Sequence, residues 1–401
     1  MPWQELSVMD QRLEFVTLAL VDGANVRALC RRFEVSPDVG YKWIRRYRAG
    51  GVEALADVSR RPHSSPRRSA VSVEEAVLEI RRLHPAWGGR KIRARLLALG
   101  KAAPAESTIS DILRRNGLLG ADGGSSHPGP SIRFERTRPN ELWQMDFKGH
   151  VLLSRGGRCH PLTMIDDHSR YCLCLQACGD EQEATAKRCL TTVFRRYGMP
   201  ERLLCDNGSP WGSAGEGDCH TALEVWLLRM GVRMSHGRPR HPQTQGKEER
   251  FHRTLKAEVL CRQDLLDTPH AQSLFDPWRL VYNAERPHQA LDLATPSTRY
   301  RVSERAFPET LPDLGYQRGE LLRKVERHGR ISFRGSLWRI GKAFDGEYLA
   351  LRPTAKDGVL EVCYGPHPVA HLDAALPGVV VHVRRTLAAL ASDAHAPLEN
   401  V

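Results

Sequence analysis

Apolar positions recur three and four residues apart from Asp10 to Val21 and again, after the break DGAN, through VRALCRRF. That spacing predicts two helices. EVSPD then places Ser36 as a cap and Pro37 at the first position of a third helix, GYKWIRRYR. Helix, tight turn and a second helix rich in basic and aromatic residues is the layout of a helix-turn-helix, whose second helix enters the major groove of DNA. Tyr41, Lys42, Arg45 and Arg46 are the expected contacts, while Trp43, Ile44 and Tyr47 are expected to pack. A plain three-helix bundle with a basic face is the alternative reading.

SRRPHSSPRRSA has no apolar periodicity and four arginines. It reads as an extended arm whose Arg60 and Arg61 track phosphates. VEEAVLEIRRLHP, RKIRARLLALG and ESTISDILRRNGLL form a second helical unit, either a second DNA-binding module or a purely structural bundle. After the hinge GADGGSSHPGPSIRFERTRPN the pattern mixes strand and helix. LWQMDF, two strands joined through DDHSR, RLLCD and VRMSH are expected strands. EATAKRCLTTVFRRYG, HTALEVWLLRMG, GKEERFHRTLKAEVL and SLFDPWRLVYNAERPHQAL are expected helices. This predicts an α/β layer with a mixed sheet. Beyond TPSTRYRVSERAFPETLP, short alternating strands from RKVERHG to LEVCYG predict a small all-β domain. The expected boundaries are a helix-turn-helix domain over 1–58, basic linker 59–71, second helical module 72–119, linker 120–135, core 136–298, linker 299–315, β domain 316–375 and tail 376–401.

Composition narrows the partners. The 401 residues carry a net charge of +12, and residues 1–120 hold 21 Lys+Arg against 13 Asp+Glu, so +8 of it falls in the first third. Basic blocks set inside helix-turn-helix patterns point to nucleic acid. The ten cysteines show no CxxC pair and no zinc-type spacing, and are expected as reduced thiols, those of CLC lying in a strand. No stretch has the length of a membrane span or the layout of a signal peptide, so a cytoplasmic location is expected.

Acids supply the candidate chemistry. Asp146 sits inside the strand pattern LWQMDF, and Asp206 stands where RLLCD opens into NGSPWGS. Sheet ends of this kind collect ligands in α/β proteins. Glu248 and Glu249 both fall in the first turn of a helix, where the dipole alone favours acids. At about 100° per residue Glu248 shares the stripe of Phe251, Leu255 and Val259, the expected core side, while Glu249 projects with Arg253 and Lys256. Asp166 and Asp167 are expected as turn acids, His168, His236 and His241 as turn or DNA contacts, and Asn207 and Ser209 as residues that orient the loop.

WQMDFKG, IDDHSRY, CDNGSPWGS, HPQTQGKEERFHRTLK and YNAERPHQAL resemble, in order, the blocks of insertion-sequence transposases of the DDE type. Their catalytic core is similar to that of retroviral integrases and has a ribonuclease-H-like fold. The resemblance implies a triad of Asp146, Asp206 and Glu249, with Glu248 a bystander. It also implies binding of element ends, exposure of 3′-hydroxyls and joining to target DNA by direct transesterification. Such chemistry uses two Mg²⁺ ions roughly 3.5 to 4 Å apart, for which Mn²⁺ is expected to substitute, and hard oxygen ligands suit them. Lys247, Arg253 and Lys256 are expected to meet phosphates near the site, and double-stranded DNA and a homodimer or larger assembly are the expected partners. A DNA-binding regulator and a plain metal-dependent nuclease are the alternatives.

Overall fold

The first helices begin where their caps dictate. In the computed structural model, which describes residues 7–57, 68–119, 135–206, 208, 210–212, 219–236 and 246–383, α1 (Val8–Ala19) opens with Ser7 and Asp10 satisfying each other's backbone N–H. Asn25 caps α2 (Val26–Arg32), and Ser36 caps α3 (Pro37–Gly50). Phe15, Val16, Cys30, Trp43, Ile44 and Leu55 close the core of this unit. Gly40 is required at its centre, because a Cβ there would stand 2.5 Å from the Cys30 sulfur and 2.9 Å from the Phe15 ring. Glu34, in the turn before α3, is held at φ 52°, in the left-handed region. Tyr41, Lys42 and Arg45 are exposed on α3. Arg46 instead folds back on the Ala56 carbonyl and the Trp43 ring. Residues 1–68 and 69–401 form two separate compact units.

The second unit begins with α4 (Val71–Leu83), α5 (Gly89–Ala98) and α6 (Glu106–Arg115), packed around the buried Trp87. Several of their basic residues are used internally: Arg81 donates to the Trp87 and Leu118 carbonyls, and Arg115 pairs with the buried Glu74. Arg95 reaches Glu285 at 2.5 Å, and Val281 packs on the bundle, so these helices rest on the core that follows.

That core is a mixed sheet. β1 (Trp143–Phe147) lies between antiparallel β3 (Arg158–Asp166) and parallel β5 (Arg202–Cys205), with β6 (Arg233–His236) parallel beyond β5. Short β2 (Val151–Leu152) and β4 (Cys172–Cys178) both pair with β3. The helices α7 (Glu183–Tyr197) and α8 (Ala222–Arg229) share one apolar cluster with β1, while α9 (Gly246–Leu255) and α10 (Thr268–Ala284) share another with β3 and β4. A π-type turn, Lys256–Leu260, follows α9. The outer edge of β4 is closed by side chains of α10. Asn283 exchanges bonds with the Cys172 amide and carbonyl, Arg279 donates to Leu173 O, and Gln272 bonds Ala177 N and Leu175 O.

Several boundaries differ from expectation: α10 ends at Ala284, short of the expected Leu291, and β13 (Val380–His382) lies within the expected tail. α10 starts at Thr268, five residues before the expected Ser273, because Asp267 caps it and Pro269 suits its first turn. The chain after the core does not run free: Ser303 and Arg305 bond the backbone around Met199, and Tyr300 and Phe307 pack on the core.

The C-terminal part is all-β, as expected. β7 (Leu321–Lys324), β10 (Tyr348–Pro353), β11 (Val359–Tyr364), β12 (His367–Asp373) and β13 (Val380–His382) form an antiparallel sheet, and β8 (Arg330–Phe333) pairs with β9 (Ser336–Arg339). Its core includes Val225 and Leu228 of α8. The described cysteines are all free, and those of β4 are buried in the sheet. Arg60, Arg61, Asn207, Ser209 and His241 lie outside the described residues.

Candidate active site

Asp146 and Asp206 are brought together by strand register. Trp143 lies opposite Leu203 and Gln144 opposite Leu204 in parallel β1 and β5, so continuing the register sets Asp146 beside Asp206 at the carboxyl ends of both strands. The side chains of Trp143, Met145 and Phe147 are buried, and Trp211, beyond Asp206, stacks on Phe147 at 5.6 Å, fastening the loop to the strand. Gly208 N donates to Asp206 Oδ1 at 3.0 Å, and a Cβ on Gly208 would crowd that carboxyl at 3.1 Å. The His236 ring meets the Asp206 carbonyl at 2.8 Å.

The pair is short of positive charge. Burial, and then the charge of Asp206, push the Asp146 carboxyl up to about 7, against the opposing pull of the Phe147 N–H and Lys148. Two acids crowded at an opening between strand ends, with little to neutralise them, suit a cation with oxygen ligands.

The helix α9 supplies two glutamates, and the structure separates them. Glu248, Phe251, His252 and Leu255 are buried, so the stripe expected to face the core does so. Glu248 is nevertheless more than a first-turn acid. Its side chain is only 1% exposed, its Oε2 bonds the Thr163 hydroxyl at 3.0 Å, and its carboxyl is raised well above the usual range by burial and then by Asp146. The hydroxyl of Thr163, directly opposite Asp146 in the β1–β3 register, also lies 3.0 Å from the Asp146 carbonyl and 2.8 Å from His252 Nε2. Burial, and then Lys148, lower His252 to about 3, so its ring is neutral beside Asp146 and Glu248.

Glu249 is not drawn into this cluster. It is 67% exposed and pairs with Arg253 at 3.1 Å, an exposed i, i+4 pair. Among the described residues no three His, Cys, Asp or Glu side chains converge as a ready-made metal site. Arg253 and Lys256 are exposed beside Glu249, whereas Lys247, expected on phosphate, is mostly buried and donates to Asp167. The reason is the burial of its partner. Asp167 is fully buried, holds Gln144 Nε2 and Arg136 N, and needs a cation, which Lys247 provides. Asp166 caps its turn through Ser169 and Asn140 N, in keeping with a turn acid.

Sequence reasoning passed over Thr163 and His252. The i, i+4 spacing of Glu248 and His252 was a readable sign that both lie on one helix face, but nothing local to Thr163 announces that its hydroxyl meets them.

Comparisons with known proteins agree with this layout. The integrase core domain family matches residues 136–242, and a second integrase core family matches 230–296. The C-terminal domain of IS481 family transposases matches 320–377, while homeodomain-like and helix-turn-helix domains match 39–113 and 11–63. The insertion element IS407 uncharacterized 31.7 kDa protein of Burkholderia multivorans is 28% identical over 40% of this chain, and the match spans about half, 54%, of that protein. The Gag-Pol polyprotein of feline leukemia virus is 30% identical over 34% of this chain and 8% of its own length. Among solved structures, the HTLV-2 integrase catalytic core domain in complex with magnesium is 16% identical, covering 41% of this chain and 97% of its own, with a TM-score of 0.32. The simian T-cell lymphotropic virus intasome in complex with the PP2A regulatory subunit B56 gamma covers 71% of this chain and 91% of its own at 13% identity, with a TM-score of 0.38. In chain order the protein carries regions that match helix-turn-helix domains, an integrase core domain and the C-terminal domain of IS481 family transposases, and in that layout it resembles an insertion-sequence transposase with an integrase-like core.

Proposed function

We propose that this protein binds the ends of a mobile DNA element, cleaves there to expose 3′-hydroxyls and joins them to target DNA. The observation that carries the reading is the pairing of Asp146 with Asp206 at adjacent strand ends, with Asp146 raised to about 7 by burial and by its neighbour's charge. Asp146, Asp206 and Glu249 would hold the metal, two Mg²⁺ ions with Mn²⁺ as substitute. When bound, the ions activate the attacking oxygen and stabilise the leaving one.

Glu249 is preferred to Glu248 for the third position because a group that shares a cation with a DNA phosphate must be open to solvent, and Glu248 is sealed under α9. The Arg253 pair holding Glu249 away is exposed and worth only about 0.5 kcal/mol, so a cation can displace it. Arg253 and Lys256 then stand free to meet phosphates. Tyr41, Lys42 and Arg45 form the exposed face of α3 that suits a major groove. Pairing two element ends calls for a homodimer or larger assembly on double-stranded DNA. No helix among the described residues is long and apolar enough to cross a membrane, and a cytoplasmic location fits a DNA substrate.

The test mixes the protein, Mg²⁺ or Mn²⁺ and labelled duplexes of the DNA flanking the gene with a supercoiled plasmid. Covalent joining by wild type, lost in Asp146→Asn, Asp206→Asn and Glu249→Gln while end binding persists, is the expected result. Joining retained in any of these variants removes that residue from the site. Cutting without joining identifies a nuclease, and binding alone a regulator.

A further inference from the structure

Glu248 carries its carboxyl into a place that solvent does not reach. Burying an acid is costly unless its bonds are made, yet only one of its oxygens has a hydrogen-bond partner: Oε2 bonds Thr163 at 3.0 Å, and Oε1 has none among the described residues. The Ile165 N–H exerts a lowering pull on the carboxyl, which burial outweighs. The Thr163 hydroxyl gathers three polar groups, the Asp146 carbonyl, Glu248 Oε2 and His252 Nε2, at 2.8 to 3.0 Å. Two of the three belong to α9, one turn apart, and the third belongs to the catalytic strand.

The apolar contacts of α9, through Phe251 and Leu255, hold it on the sheet but are non-directional. The bonds to Thr163 fix its roll. A carboxyl carried about 6 Å from a helix axis moves about 2 Å when the helix rolls by about 20°. A misplacement of about 1 Å at a catalytic group can lower the rate on the order of 100-fold.

Building on the function proposed above, we propose that Glu248 is a positioning residue of this active site. It pins the first turn of α9 to Thr163 at the register position of Asp146, and thereby sets where Glu249 stands relative to Asp146 and Asp206. The arrangement needs a hydrogen-bonding group of this length at position 248, not a charge. Glutamine satisfies it and an apolar side chain does not.

The test compares wild type, Glu248→Gln, Glu248→Leu, Thr163→Val and Glu249→Gln in the joining assay, together with end-duplex binding, melting temperature and the Mg²⁺ concentration for half-maximal joining. Glu248→Gln is expected to join within about threefold of wild type, as a rescue by the conservative side chain. Glu248→Leu and Thr163→Val are expected to lose about 10- to 100-fold in joining, with end binding unchanged and a several-fold higher Mg²⁺ requirement. A role in stability alone would lower the melting temperature and leave the Mg²⁺ requirement of the folded protein where it was. Thr163→Val preserves shape and carries the test if Glu248→Leu does not fold. Wild-type joining by folded Thr163→Val overturns the proposal, as does Glu248→Gln as inactive as Glu249→Gln, which would make Glu248 a direct ligand. Full joining by Glu249→Gln, or none by wild type, instead refutes the function on which the proposal rests, and the proposal with it.

Discussion

In metal-free protein the Asp146 carboxylate should be a liability to the fold, and Asp146→Asn should remove it. The carboxyl stands at about 7 in the folded chain against an ordinary 3.8, chiefly because of burial and then because of Asp206. A raised acid contributes stability at low pH and loses it as the pH climbs from the ordinary value through the folded one. At pH 8 the full shift corresponds to about 4 kcal/mol, and at pH 5 to somewhat under 2 kcal/mol. Since the side chain keeps 23% of its surface in solvent, screening is taken to halve both. Asp146→Asn should therefore stabilise the metal-free core by about 2 kcal/mol at pH 8 and by less than about 1 kcal/mol at pH 5. Urea unfolding in excess chelator, followed by tryptophan fluorescence, reads both values, since Trp143 and Trp211 are buried beside the site. Adding Mg²⁺ at pH 8 should then stabilise wild type and leave the variant where it was. Equal stabilities at pH 8, or a difference that does not change with pH, would refute charge crowding as the cause.

Other sites give sharper tests of the scaffold. His288 is buried against Tyr282 and lowered to about 3 by burial and then by Arg286, so its contribution is present above about 6.5 and lost as the pH falls. The stability of His288→Phe relative to wild type should therefore rise by about 2 kcal/mol between pH 7.5 and 5, measured by urea unfolding. Gly40→Ala should destabilise the N-terminal unit by about 1 to 3 kcal/mol, because its Cβ would strike Cys30 and Phe15; thermal unfolding of residues 1–68 with unchanged midpoint would contradict the packing. Glu34→Gly should stabilise the same unit by up to about 1 kcal/mol by relieving its φ of 52°, and a lower midpoint in that assay would count against strain at this turn.

What could be read beforehand was what local chemistry decides. Ser36 and Pro37 announced α3, the strand-like runs on either side of DDHSR announced β3 and β4, and helix geometry placed Glu248 on the core side of α9. A helix wheel separates an inner face from an outer one, but not an inner acid that meets nothing from one that meets Thr163. Asp267 as a cap for α10 was equally local and was overlooked. The remainder was long-range. Lys247 turns to Asp167 across 80 residues, and Arg95 meets Glu285 across 190, so neither partner is visible from the other's neighbourhood. The second helical unit shows the same limit: its basic residues look like a surface for phosphates until Arg81 and Arg95 are found bonding protein.

The closure of β4 by α10 bears on how such a protein survives at high local concentration. A bare outermost strand is a template on which another chain can add, and recombination complexes crowd several copies onto a short length of DNA. Here Gln272, Arg279 and Asn283 occupy the exposed amides and carbonyls that an invading strand would require. The sheet is insulated against fibril growth from that side. In the assembly on DNA proposed above, copies of the chain would therefore recognise one another through side-chain surfaces, whose geometry can be specific, and not through backbone pairing at this edge, which is indifferent to sequence.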